Sequence, residues 1–67
     1  MKHVKFYTEK KHRETMNSVD LLKGCINRMC VTDDLDELDK RFIGAVCMLS
    51  DLYAVNKKRI AERKYGD

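Results

Sequence analysis

The stretch 35-LDELDKRFIGAVCMLSDLYAVNKKRI-60 decides the fold of this chain. Its apolar residues recur at intervals of three and four positions, which is the period of one face of an α-helix. The series is Leu35, Leu38, Phe42, Ala45, Leu49 and Leu52, with Asn56 at the next position, and Ile43, Val46 and Tyr53 widen the stripe. The chain contains no proline to interrupt the pattern. We therefore predict one long helix over residues 33–64, which would span about 48 Å at about 1.5 Å per residue.

The charges at both ends of this stretch fit the same helix. Thr32 reads as its N-cap, and acidic residues follow in the first turn, where they meet the positive end of the helix dipole. Residues 33–39 hold five acidic residues and no basic one. This acidic cluster is either a solvated helix start or an acidic patch that faces a partner. Basic residues at 57–64 close the helix where its dipole is negative.

A shorter helix precedes the long one. Met16, Val19, Leu22, Ile26 and Met29 lie at helical spacing, so we predict a first helix over about 16–30. Thr8 followed by Glu9 offers an earlier cap, which leaves the start open between residues 9 and 16. Residues 1–8 are expected to form a short extended arm. The link from Cys30 to Thr32 is so short that it forces an antiparallel αα-hairpin. The fold class is therefore all-α, with residues 1–67 in one domain.

Helix 1 is expected to cover only the N-terminal part of helix 2. The far part of the long helix would then have nothing in its own chain to lie against, and we expect binding there. The expected contacts are Phe42, Leu49, Leu52, Tyr53, Asn56 and Ile60. A second copy would cover them in a four-helix dimer, or an unidentified protein partner would do so. Asn56 either fixes the register of such a dimer or marks the end of the apolar seam.

The basic residues suggest an alternative surface. Residues 1–13 carry five lysines and arginines against Glu9, and residues 57–64 carry five against Glu62. An antiparallel hairpin brings these blocks to one end, where they could contact nucleic-acid phosphates or an acidic partner, or remain solvated. The candidate contacts are Arg13, Lys57, Lys58, Arg59, Arg63 and Lys64. The overall net charge of +3 is modest for a nucleic-acid-binding protein.

Neither cofactor nor metal is expected. Cys25, Cys30 and Cys47 do not match the close Cys/His pairs of zinc sites, and buried small apolar side chains are the simpler interpretation. Their odd number favours free thiols in a reducing compartment. The N-terminal segment becomes charged at once, unlike a signal peptide, and no apolar run approaches the ~20 residues of a membrane span. We therefore expect a cytoplasmic protein that does not cross a membrane.

Three short stretches resemble known families. Residues 35–46 look like the opening of the long helix in the chorismate mutase family, but Leu49 stands where that family has a catalytic arginine. Glu37-Leu38-Asp39 is similar to part of the signature of small helical-hairpin aspartyl-phosphate phosphatases of sporulation control, with Leu35-Asp36 in place of its Ser-Gln. The order SVD, VTDD, EL and LSDL loosely resembles the Hha-type nucleoid modulators without their Ala-Asp-His-Arg motif. No functional residue is carried over from any of these families.

The functional hypothesis follows from the absence of a catalytic constellation in the sequence, from the apolar stripe of helix 2 that is expected to extend past helix 1, and from the segregation of charge between the two ends. We expect a non-enzymatic regulatory or inhibitory protein that acts by helix-mediated protein–protein binding as a homodimer. A chain as small and compact as this one is typical of phage or mobile-element proteins that modulate a host factor. The first alternative is a nucleic-acid-binding accessory protein that uses the basic end. The second alternative is a regulator similar to the hairpin phosphatases, for which Asp39 would be the residue to mutate.

Overall fold

The chain folds as two antiparallel α-helices joined by a three-residue link. The computed structural model describes residues 5–65, and of residue 65 the backbone alone. Helix α1 covers Glu9–Val31 and helix α2 covers Leu35–Tyr65. The molecule is an elongated hairpin of 54 × 16 × 16 Å. The all-α hairpin with a long second helix is confirmed, while residues 1–4 of the predicted arm lie outside the described residues.

Helix α1 begins at the earlier of its two possible starts. Thr8 is the N-cap, and its hydroxyl oxygen accepts a hydrogen bond from the Lys11 N–H at 3.2 Å. The His12 N–H then donates to the Thr8 carbonyl at 2.9 Å. A side-chain oxygen that accepts one of the unpaired N–H groups of the first turn is enough to start a helix whose early residues bury nothing apolar. The apolar pattern alone, which starts at Met16, misses this polar first part.

Helix α2 is capped by Asp34, and the prediction that Thr32 is its N-cap is wrong. The Asp34 carboxylate accepts from the Asp36 N–H at 3.3 Å, and the Asp34 carbonyl accepts from the Leu38 N–H at 2.9 Å. Thr32 instead ends α1, because its own N–H donates to the Arg28 carbonyl at 3.0 Å. Its hydroxyl accepts from the Asp34 N–H at 3.2 Å, so one threonine connects the end of α1 with the cap of α2.

Small side chains occupy the most buried positions between the two helices. Among the described residues only Thr15 and Cys25 are buried, each with 8% of its surface exposed. The Cys25 sulfur lies 3.8 Å from the position that a Cβ would occupy on Gly44. Small groups allow the two backbones to approach closely, so this side of α1 packs inward. The larger Met16 and Ile26, which belong to the apolar series of helix 1, are 45% and 46% exposed.

The apolar stripe of α2 is divided between two sides of the helix. Leu38, Ala45 and Leu52 are half-buried on the side that packs against α1, whereas Leu35, Phe42 and Leu49 are exposed. One neighbouring helix covers only part of a stripe this wide. The uncovered part lies along the side of α2 and not beyond its end.

The predicted overhang of α2 is wrong. The backbone N–H groups of Phe6 and Tyr7 donate to the carboxylate of Glu62, and the bond from Tyr7 measures 3.0 Å. Further along the hairpin, Thr15 and Leu52 line the same groove between the helices. The first helix and the segment before it therefore accompany α2 almost to its last turn.

Candidate protein-binding face

Helix α2 carries a line of exposed apolar side chains. We name it the α2 outer face, which consists of Leu35, Phe42, Val46, Leu49, Tyr53 and Ile60. Each of these side chains has between 49% and 74% of its surface exposed. Single exposed apolar residues are ordinary, but a contiguous patch of large ones marks an interaction surface.

The total surface of the chain is large for its mass. The structure exposes 5842 Å² at a mass of 7.9 kDa. A folded monomer of this mass typically exposes about 4,400 Å². The elongated shape is the geometric cause, because two helices side by side have little interior. Among the described residues no side chain is fully buried. The hairpin therefore exposes apolar surface that a third or fourth helix could cover.

The predicted binding residues fall into two groups. Phe42, Leu49, Tyr53 and Ile60 lie on the α2 outer face, together with Leu35 and Val46, which the predicted binding set omitted. The omitted residues are recognisable by a spacing of four and three positions that runs beside the main stripe.

Leu52 and Asn56, also predicted to bind, are half-buried instead. The Asn56 amide donates to the Leu52 carbonyl at 2.8 Å, and its oxygen accepts from the Arg59 Nε at 3.0 Å. The structure thus places these two residues at the border between the outer face and the side of α2 that packs against α1.

The basic end is partly occupied by aromatic rings of the same chain. The Lys58 ammonium lies 4.3 Å from the centre of the Phe6 ring, and the Arg59 guanidinium lies 5.7 Å from that of Tyr7. Lys57 lies 5.9 Å from the Tyr53 ring. Cation–π contacts of this kind attract a cation to the negative face of the ring. Arg13 and Arg63 of the same predicted set are exposed.

A polar network at the hairpin turn was not foreseen from the sequence. The Thr32 hydroxyl donates to the Glu37 carboxylate at 2.6 Å. Arg28 lies 3.2 Å and Arg41 3.6 Å from the same carboxylate. The Thr32 hydrogen bond, aided by the two guanidinium groups, lowers the pKa of Glu37 below its ordinary value of 4.5. The network ties α1, the link and α2 together, and we assign it a structural role.

The remaining candidates for chemistry lie apart from one another. Cys25 is buried, Cys30 and Cys47 are exposed, and all three are free thiols. Asp39, the candidate from the phosphatase resemblance, is exposed on α2. Within residues 5–65 no group of three or more His, Cys, Asp or Glu side chains is arranged to hold a metal ion. Neither described helix is long and apolar enough to cross a membrane.

No protein-family model matches the chain, and neither the curated proteins nor the solved structures contain a significant match.

Proposed function

We propose that this chain is a non-enzymatic regulatory or inhibitory protein of the cytoplasm that acts by helix-mediated protein–protein binding through the α2 outer face. The observation that carries the proposal is the exposure of six large apolar side chains along one side of a single helix. Full burial of one such side chain contributes roughly 1.5–3 kcal/mol, and these partly exposed side chains would contribute a share of that on association. A helix that adds to this face would complete a bundle in which α2 has two neighbours. A role as a phage or mobile-element modulator of a host factor belongs to the same proposal.

The proposal is tested by affinity capture with matched variants. Leu49→Glu places a charge in the middle of the α2 outer face, whereas Ala54→Glu introduces the same residue at an exposed position of α2 off that face. Because both positions are exposed, both variants are expected to keep the helical circular dichroism spectrum. A binding protein that is retained by the native chain and by Ala54→Glu but lost with Leu49→Glu supports the proposal. Capture that is equal for both variants contradicts it.

The nucleic-acid alternative is favoured by one observation, the position of the charges. The antiparallel hairpin brings the N-terminus of α1 and the C-terminus of α2 to one end, so the basic blocks lie far from the acidic residues at the link. Neutralising Lys57, Lys58 and Arg59 should lower the slope of log affinity against log salt for a labelled DNA duplex by about 3. An affinity for the duplex that does not change with salt concentration would rule this alternative out.

A further inference from the structure

We infer that the α2 outer face is covered by α2 of a second copy of this chain, which lies antiparallel to it about a two-fold axis that passes between Val46 and Leu49. This inference rests on the proposed function, because it names the occupant of the same face. The grounds are the order of side chains along the face, its two polar positions, and the charges that flank it.

The outer face forms part of a regular seam of eight positions. The seam consists of Leu35, Asp39, Phe42, Val46, Leu49, Tyr53, Asn56 and Ile60, separated alternately by four and three positions. This is the a/d spacing of helices that pack side by side over a long distance. A two-fold axis midway along the seam pairs each residue with the one at the same distance on the other side.

Seam positions at equal distances from the axis carry side chains of the same class, which is aliphatic, aromatic or polar. Leu35 pairs with Ile60 of the partner subunit, Phe42 with Tyr53 of the partner subunit, and Val46 with Leu49 of the partner subunit. The central layer is then aliphatic, the next is aromatic against aromatic, and the outermost is aliphatic again. In an antiparallel two-fold dimer every layer occurs twice, so each of these like-with-like pairings contributes twice. In a parallel dimer each residue would instead meet its own copy, and Asp39 would face a second Asp39 carboxylate.

The two polar positions of the seam complement each other in the same register. Asp39 lies opposite Asn56 of the partner subunit. Its carboxylate accepts a hydrogen bond that the asparagine amide N–H donates. Asn56 uses one N–H for the Leu52 carbonyl at 2.8 Å, which leaves its second N–H for the carboxylate. Arg59, 3.0 Å from the Asn56 oxygen, brings a cation to the same layer. A buried polar pair of this kind is known to fix the register of packed helices.

The charges beside the seam favour the antiparallel orientation. Asp36 and Lys57, both exposed, each follow a seam residue directly and lie near opposite ends of α2. The two-fold axis brings Asp36 next to Lys57 of the partner subunit, and this pair also occurs twice. A parallel arrangement would instead bring the acidic starts of the two helices together, where like charges repel.

The surface area is consistent with a dimer. A specific interface of standard size covers about 800 Å² on each partner. The chain exposes roughly 1,400 Å² more than is typical for a monomer of its mass, so such an interface would remove part of this excess. Pairing along α2 also gives the long helix a neighbour on each of its two apolar sides.

Zero-length carbodiimide cross-linking of the native chain tests the orientation. Asp36 and Lys57 are about 32 Å apart on one continuous helix, so a direct amide between them within one chain is impossible. In an equal mixture of unlabelled and ¹⁵N-labelled chains, we expect an Asp36–Lys57 cross-link that contains one chain of each kind. Cross-links that instead join the same end of two chains, or a chain that sediments as a monomer throughout the micromolar range, would overturn the inference.

Charge reversal tests the register. Asp36→Lys places two lysine pairs in the dimer and should weaken dimerisation about tenfold, as measured by sedimentation equilibrium at low salt. Adding Lys57→Asp to the same chain should restore the native dissociation constant. Asp51→Lys, which changes the net charge equally at an exposed position outside the seam, is the matched control. If the double variant dimerises no better than the single one, the register is wrong.

The outcomes separate this inference from the proposed function. If the native chain is a monomer but captures another protein that Leu49→Glu no longer captures, the second copy is wrong and the binding face stands. If the chain dimerises through the seam and captures nothing further, the dimer stands and the regulatory role is contradicted. If Leu49→Glu changes neither the oligomeric state nor capture, both are wrong.

Discussion

The thiol sulfur of Cys25 lies 3.0 Å from the carbonyl oxygen of Arg41, so the two helices meet through a small polarisable group and a backbone atom. The thiol donates to a carbonyl that already belongs to the helical ladder of α2. A contact this close leaves no room for a longer side chain at position 25. The tightest part of the hairpin therefore depends on small residues and not on the leucines.

We predict that Cys25→Leu lowers the free energy of unfolding by about 1–3 kcal/mol, because a larger side chain must push the helices apart. The measurement is urea denaturation followed by circular dichroism, at one fixed protein concentration. Cys47→Leu adds the same side chain at an exposed position and is expected to change stability by less than about 0.5 kcal/mol. Equal losses in both variants would contradict the close packing at Cys25.

Gly24 and Gly44 both lie inside helices with ordinary helical backbone angles, so alanine should fit at each. A Cβ on Gly24 would meet nothing within 4 Å, and one on Gly44 would lie in ordinary contact with Cys25. We expect Gly24→Ala and Gly44→Ala each to stabilise the protein by about 0.5–1 kcal/mol, because alanine loses less conformational freedom on forming a helix. Thermal denaturation measures the effect. A loss of stability in Gly44→Ala alone would mean that the helices pack more tightly there than the structure indicates.

Glu37 is predicted to make the stability of the hairpin depend on pH. Its folded-state pKa lies below its ordinary value of 4.5, so its contribution is present above pH 4.5 and is lost as the pH falls through the folded-state pKa. Compared with Glu37→Gln, the native chain should have the higher unfolding midpoint at neutral pH, and the difference should vanish in acid. Asp51→Asn, at an exposed site away from the hairpin turn, is the control. A difference that persists at pH 2 would contradict the role of the charge.

Glu62 is predicted to hold the segment before α1 against the end of α2. Because its carboxylate accepts from the backbone N–H groups of Phe6 and Tyr7, Glu62→Ala should speed their amide hydrogen exchange about tenfold. Two-dimensional NMR measures the two amides separately. Glu14→Ala removes a carboxylate 3.9 Å from Lys11 and should leave both rates unchanged. Unchanged rates in Glu62→Ala would show that the aromatic contacts alone hold this segment.

The fold could be predicted from the sequence, because apolar residues at intervals of three and four positions, without a proline between them, fit few structures other than a helix. The spacing predicted the long helix within two residues at its start and one at its end. The cap of α2 was misplaced by two residues, since Thr32, Asp33 and Asp34 all suit an N-cap and only the conformation of the link selects Asp34. The sequence leaves the start of α1 open between residues 9 and 16, because its first turns carry no apolar residue and so show no apolar period.

The sequence by itself determined that α2 is one long helix and that its apolar stripe is wider than a simple seam. It also determined the order of residues along the seam, in which equivalent positions counted from the two ends are both aliphatic, both aromatic or both polar. Only the tertiary structure decided which side of that stripe meets α1. Close approach of two backbones favours the side with Cys25 and Gly44 at the contact, and this choice leaves the larger side chains of Phe42, Leu49 and Tyr53 exposed along the other side. The period of the apolar residues specifies the faces of α2, but the fit of the two backbones selects which face is buried against α1.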